Sequence, residues 1–131
     1  MKVLVDTRIW SIALRRKNPD LELIDKLNNL IIDGRVFIIG PIRQEILSGI
    51  SNARQFRELR KILTAFEDIP LRTEHFEKAA EFSNICRRKG IQGSTIDFLI
   101  CAVAHIENLE IFTTDSDFEN YSKYLPIAIV K

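Results

Sequence analysis

Charge of one sign is what this sequence most lacks: nineteen Lys and Arg stand against eighteen Asp and Glu, a formal +1 over 131 residues. No whole-molecule field therefore draws the chain to a nucleic acid or an anionic membrane, and any such contact must come from a local patch. Cysteine is scarce as well. Cys86 and Cys101 both fall inside apolar helical patterns. They have neither the even-numbered framework of small secreted domains nor the His partners of a zinc site, so they read as buried free thiols in a reducing compartment. Five glycines and four prolines exclude collagen-like and low-complexity classes, and the balance of 46% hydrophobic and 28% charged residues is that of a globule that folds by itself. The longest unbroken apolar run, residues 98–104, is far short of the roughly 20 needed to cross a bilayer. Asp6 interrupts the first apolar stretch before a signal-peptide core of about 7–15 residues can form. The expectation is a cytoplasmic protein with no membrane segment, in which residues 1–131 form a single domain.

What is present alternates between two kinds of pattern. Val3-Leu4-Val5 is a short β-branched run without polar alternation, the mark of a strand buried on both faces, and it stops at Asp6. Helical spacing follows through Ile9, Trp10, Ala13 and Leu14, then through Leu21, Ile24, Leu27, Leu30 and Ile31 up to Asp33-Gly34. Val36-Phe37-Ile38-Ile39 predicts a second buried strand, and Gly40-Pro41 opens a helix that carries Glu45 and ends near Gly49. Residues 53–66 predict a helix with Phe56, Leu59, Leu63 and Phe66 on one side, followed by a short strand at residues 68–71. From Thr73 to Lys89 the inward stripe is expected to be Phe76, Ala79, Ala80, Ser83 and Cys86, closed by Gly90. Residues 96–106 are apolar nearly all round and predict a helix buried on most sides. Residues 110–113 and 127–130 are two further strands around a short helix starting near Asp115. Strands alternating with helices predict an α/β domain with a mostly parallel sheet and helices on both faces.

In an open parallel sheet, ligands bind outside the carboxyl ends of the strands. Asp6 follows the first strand, and Asp115, with Asp117 two residues on, follows the strand at 110–113. Asp97 is the lone charge between Gly93 and His105 in a helix that otherwise reads as buried, and a carboxylate there needs a partner. Glu45 lies one turn into a helix that begins at the same sheet edge. Each acid has a plainer alternative: Asp6 and Asp115 as helix caps, Ser94-Thr95-Ile96-Asp97 as a capping box, Asp117 in an Asx turn, Glu45 as a solvated helix residue. As a set they converge, and clustered carboxylates persist only when protons, basic side chains or a metal compensate them. All-oxygen ligation suits Mg²⁺ or Mn²⁺, which can activate water and offset charge on a phosphate.

The ordered markers resemble a PIN-domain ribonuclease of the VapC toxin type over essentially the whole chain. Val-Leu-Val-Asp-Thr-Arg-Ile-Trp at 3–10 looks like that family's opening strand and first acid, and Gln-Glu-Ile-Leu-Ser-Gly at 44–49 like its second. Gly-Ser-Thr-Ile-Asp-Phe-Leu-Ile-Cys-Ala-Val-Ala at 93–104 is similar to the third-acid helix, and Thr-Thr-Asp-Ser-Asp-Phe at 113–118 to the final acidic turn. The resemblance implies a three-layer α/β/α domain and a Mg²⁺- or Mn²⁺-dependent endoribonuclease. It further implies the toxin of a type II toxin–antitoxin pair, homodimeric and inhibited by a cognate antitoxin, with RNA hydrolysed by a metal-activated water. Asp6, Glu45, Asp97 and Asp115 would be the catalytic and metal-binding acids, Asp117 a supplementary ligand, and Thr7 and Thr113 supporting polar residues. Arg8 departs from the pattern, standing where the family commonly has a small polar residue. Its guanidinium suits contact with a substrate phosphate or pairing with an acid.

Two other readings stand beside this one. In the first, a PIN-like RNA- or protein-binding regulatory module has lost efficient catalysis because Arg8 crowds or neutralises the acids. The second is a metal-dependent phosphatase, against which position 8 counts, since such enzymes commonly carry a second Asp two residues after the nucleophile. His105, about two helical turns beyond Asp97, reads as structural or surface. Arg54, Arg57, Arg60 and Lys61 read as a solvated helix face interrupted by Glu58, and the runs Arg15-Arg16-Lys17 and Arg87-Arg88-Lys89 as helix-end charges. Trp10, Phe76 and Phe82 read as core or dimer-contact residues.

Overall fold

A computed structural model describes residues 1–14 and 17–130. Arg15 and Arg16, two members of the first basic run, lie outside the described residues. The order of elements is β1 (Val3–Val5), α1 (Thr7–Leu14), α2 (Leu21–Ile32), β2 (Val36–Phe37), α3 (Gly40–Ser48) and α4 (Ala53–Leu63). It continues with α5 (Thr73–Arg88), α6 (Thr95–Ile106), β3 (Glu110–Phe112), α7 (Asp117–Ser122) and β4 (Ala128–Ile129).

The four strands form one parallel sheet in the order β2-β1-β3-β4. Val3 sits opposite Val36 on one side and Glu110 on the other, and Val5 opposite Phe112, so β1 is hydrogen-bonded along both edges. All three of its side chains are fully buried, as its unalternating sequence requires. The chain leaves β1 toward β2 on one side and later returns to β3 on the other. The strand order thus reverses at the β1–β3 pair, and the crevice outside their carboxyl ends is where an open parallel sheet offers a ligand site.

Local signals explain most element ends. Asp20 caps α2, its carboxylate accepting the Leu23 amide at 3.1 Å. Gly34 (φ +68°) and Gly90 (φ +74°) turn the chain after α2 and α5 in the left-handed region, where a side chain is disfavoured. Ser94 caps α6 through the Asp97 amide at 3.0 Å. Every residue of α6 from Phe98 to Ala104 is buried, so this helix is the core's central one and α5 packs along it.

The structure corrects several expected boundaries. β2 stops at Phe37 because Ile38 forms a single parallel bridge to Asp68 and Ile39 already serves as the N-cap of α3. The expected strand at 68–71 is reduced to that bridge. α4 ends at Leu63 rather than 66, which frees Phe66 to meet Trp10 edge-on with ring centroids 5.0 Å apart. The inward stripe of α5 is rotated from the expected one: His75, Ala79, Phe82 and Cys86 are buried, whereas Ala80 is exposed and Phe76 is 53% exposed. The cause is polar. His75 Nδ1 accepts the Arg72 amide at 2.9 Å and Nε2 lies 3.0 Å from Glu107 Oε1, so the imidazole is fully satisfied inside. His105 is exposed, its ring 5.7 Å from that of Phe82. Both cysteines are buried and free. Among the described residues no helix is long and apolar enough to cross a membrane.

Candidate metal centre

β1 delivers Asp6 to the crevice and β3 delivers Thr113 beside it. The Asp6 amide donates to the carbonyl of Phe112, the last residue of β3, at 3.0 Å, which continues the sheet ladder one residue past β1. The Thr113 hydroxyl then donates to Asp6 Oδ2 at 2.9 Å and accepts the Asp115 amide at 3.0 Å. Asp115 Oδ1 in turn accepts the Asp117 amide at 3.0 Å, an Asx turn that delays the start of α7 to Asp117 instead of the expected Asp115. One hydroxyl thus orders the acidic turn against the first acid.

From the other side of the crevice, α6 presents Asp97 in its first turn, two residues into the helix. Its amide is used in the Ser94 cap, while its carboxylate Oδ2 accepts the Tyr121 hydroxyl at 2.7 Å. The capping reading of Asp97 therefore describes its backbone, and its side chain points elsewhere. α3 brings Glu45 in from the β2 side. Glu45 is exposed, and its Oε1 accepts the Thr7 hydroxyl at 3.0 Å, which ties it to the residue after Asp6.

The acids converge in a particular grouping. Oxygens of Asp97, Asp115 and Asp117 all lie within 4.8 Å of one another, and Asp117 is therefore as central as the other two. Asp6 and Glu45 are outside that trio, joined to it through Thr113 and, for Glu45, through Thr7. Among the described residues, the arginine ion pairs engage other acids: Arg35 with Glu110, Arg43 with Asp68, Arg54 with Glu58, and Arg72 with Glu74 and Glu107. Arg8, next to Thr7 on α1, is exposed.

The electrostatics follow from that imbalance. Burial holds the Asp6 carboxyl above its ordinary range, and the charges of Asp97 and Asp115 push it further the same way, against hydrogen bonds from Thr113 and the Thr7 backbone. Burial also raises the thiol of Cys101, with Asp97 and Asp6 adding to the effect. Burial and the bond to Asp97 raise the Tyr121 phenol. Burial is the largest cause at all three groups, and the neighbouring carboxylates add to it in the same direction. An all-carboxylate donor set with no basic ion-pair partner among the described residues fits a hard divalent cation of the Mg²⁺ or Mn²⁺ kind. It does not fit zinc, since Cys86 and Cys101 are buried thiols and His75 is committed to Arg72 and Glu107.

The sequence profile of the PIN domain matches residues 3–124. The chain belongs to the PIN-domain family. Solved structures of similar fold include FitAcB from Neisseria gonorrhoeae, at 21% identity and a TM-score of 0.81, covering 98% of this chain and 96% of that one. VapBC2 from Rickettsia felis, bound to a DNA fragment from its promoter, has 22% identity and a TM-score of 0.80 over 100% and 98% of the two chains. A toxin–antitoxin complex from Klebsiella pneumoniae has 21% identity and a TM-score of 0.69 over 89% and 90%. These likenesses are of fold. No curated protein sequence matches the chain.

Tyr121 is the residue of this PIN-domain site that sequence reasoning missed. Its signal was present: Phe118 and Tyr121 stand three apart directly after the acidic turn, the spacing of a short helix that buries one side. Nothing local, however, says that the phenol reaches a carboxylate 24 residues back.

Proposed function

We propose that this PIN-domain protein is a Mg²⁺- or Mn²⁺-dependent endoribonuclease of the VapC type, the toxin of a type II toxin–antitoxin pair. The observation that carries the reading is the convergence of Asp97, Asp115 and Asp117 within 4.8 Å beside a buried Asp6 whose proton affinity is raised. In this reading Asp6, Glu45, Asp97 and Asp115 are the catalytic acids and, with Asp117, hold the cation. A divalent ion bound there supplies Lewis acidity that activates water and offsets charge on the phosphodiester. The chain's own residues do the rest. Thr113 fixes the Asp6 carboxylate and Thr7 the Glu45 carboxylate, so that neither has to reorient when substrate arrives. The negative charge that burial and the neighbouring acids make costly at Asp6 would be offset by a cation bound there. Arg8, exposed on the first turn of α1, reaches a substrate phosphate.

The partners follow from the same reading: an RNA substrate, a cognate antitoxin that covers the crevice, and a second copy in a cytoplasmic homodimer built from single domains of residues 1–131. Support for an antitoxin is the fold shared with the Klebsiella pneumoniae toxin–antitoxin complex.

The test is cleavage of total cellular RNA by the purified, antitoxin-free protein with Mg²⁺ or Mn²⁺, beside an EDTA control and a folded Asp97→Asn variant. Discrete fragments from the unmodified, metal-supplied protein alone are expected. Intact RNA across a broad substrate set sinks the nuclease reading and leaves a PIN-fold binding module in which Arg8 has replaced catalysis.

A further inference from the structure

We propose that Tyr121 is a positioning residue for the metal centre: its phenol sets the orientation of the Asp97 carboxylate and the closure of α7 on α6, in space that Gly93 keeps open. The inference rests on the reading of Asp97 as a cation-holding acid. Tyr121 is fully buried, and its ring is wedged between those of Phe98 and Phe118, with centroids 5.1 and 5.2 Å away. Packed against both rings, the side chain holds its hydroxyl 2.7 Å from Asp97 Oδ2.

A neutral donor on a carboxylate oxygen makes a short, charge-assisted bond that restricts rotation about the carboxylate's own torsion. The Asp97 backbone is fixed separately by the Ser94 cap at 3.0 Å. With one oxygen engaged by the phenol, the other oxygen and the remaining lone pairs face a cation in a single arrangement. Tyr121 also lies four residues after Asp117 on α7, one turn along the same face. The bond that orients Asp97 therefore also sets how far Asp117 stands from it.

Gly93 supplies an independent mark of the same device. It does not have a positive φ, so backbone conformation does not demand glycine there. Space does: a Cβ at this position would overlap the Tyr121 hydroxyl, and it would stand 2.8 Å from Tyr121 Cζ and 2.9 Å from Phe98 Cζ. The chain gives up a side chain two residues before α6 to admit the phenol.

Mn²⁺ binding to the full chain, followed by calorimetry and by the Mn²⁺ paramagnetic resonance signal, separates the possibilities together with thermal melts in EDTA. Tyr121→Phe keeps the ring and removes the hydroxyl. It is expected to weaken Mn²⁺ binding by about 10-fold or more, the usual effect of losing a partner that orients a ligand, with its resonance lines altered. Gly93→Ala is expected to weaken binding in the same direction with the hydroxyl still present, and the double variant to lose little beyond either single one, because both act through one contact. Should Tyr121→Phe fail to fold, Gly93→Ala carries the test. Parent-like affinity in the folded variants, whatever their melting temperatures, overturns the positioning role while Asp97→Asn, by abolishing binding, leaves the metal reading intact. Mn²⁺ binding that survives Asp97→Asn, or is absent from the unmodified chain, overturns both.

Discussion

Thr113 donates its hydroxyl to Asp6 Oδ2 at 2.9 Å across 107 residues of chain, and its Oγ1 accepts the Asp115 amide at 3.0 Å. The bond joins the ends of β1 and β3 where the sheet order reverses, so it belongs to the fold and to the site at once. Thr113→Val keeps the β-branched shape and deletes both interactions. The expected loss is about 1–3 kcal/mol in chemical denaturation, since a partly buried carboxylate and a backbone amide are both left unpaired. Removal of the donor should also raise the Asp6 carboxyl further, measurable by NMR titration in EDTA. An unchanged Asp6 titration would show that Thr113 does not govern that acid.

Asp6 itself has a defined pH signature. Its folded-state pKa lies above the ordinary 3.8 because burial, then the charges of Asp97 and Asp115, disfavour the anion. Between the ordinary value and the raised one the folded protein binds more protons than the unfolded chain, so stability falls as pH rises through that window. In EDTA at neutral pH, Asp6→Asn is therefore expected to be more stable than the parent. The difference should close as the pH is lowered toward 3.8. Added Mn²⁺ reverses the order, because it stabilises the parent by mass action and lacks a charged Asp6 in the variant. A variant less stable than the parent in EDTA at neutral pH contradicts the assignment.

Much of this architecture is legible without coordinates because the determining signals are local. Val3-Leu4-Val5 has no polar alternation and proves buried along all three residues, and the apolar run after Asp97 proves to be the buried central helix. The acids were found by one topological rule, since residues after parallel strands share an edge. What escaped is what needs a partner from elsewhere. Phe76 looked like the inward residue of α5, but His75 is the buried one, because Arg72 and Glu107 satisfy both of its ring nitrogens. No periodicity in residues 73–88 encodes Glu107. Tyr121 was passed over for the same reason, its carboxylate partner lying 24 residues away. Asp117, expected only as a supplementary ligand, places a carboxylate oxygen in the same cluster as Asp115, because the Asx turn at Asp115 postpones α7 and brings both acids to one side.

Arg43 holds α3 to the end of α4. Its guanidinium donates to the Leu63 carbonyl at 2.9 Å, the Phe66 carbonyl at 2.8 Å and Asp68 Oδ1 at 3.1 Å. It thus adds bonds to the turn that follows α4, where the Leu63 carbonyl also accepts the Phe66 amide at 3.1 Å. Arg43→Met preserves the stem and removes all three bonds, and about 2 kcal/mol of stability should go with them. Glu45 sits two positions on along α3, on another side of the helix, so Mn²⁺ affinity of the folded variant should match the parent. A parallel fall in affinity would mean that α3 needs this clamp to present Glu45.

Arg8 decides between contact with substrate and suppression of the site. It is exposed on the first turn of α1, next to the Thr7 that holds Glu45. If the guanidinium grips a phosphate, Arg8→Ala in an Asp97→Asn background weakens RNA binding evenly across sequences and lowers the slope of log affinity against log salt by about one. Cleavage by the Arg8→Ala single variant then falls, while its Mn²⁺ affinity rises modestly or holds as a nearby positive charge is lost. If the guanidinium instead neutralises the acids, the same substitution leaves the RNA salt slope unchanged, tightens Mn²⁺ binding and increases cleavage. The geometry favours the first outcome, because Arg8 is exposed on α1 and not buried among the acids.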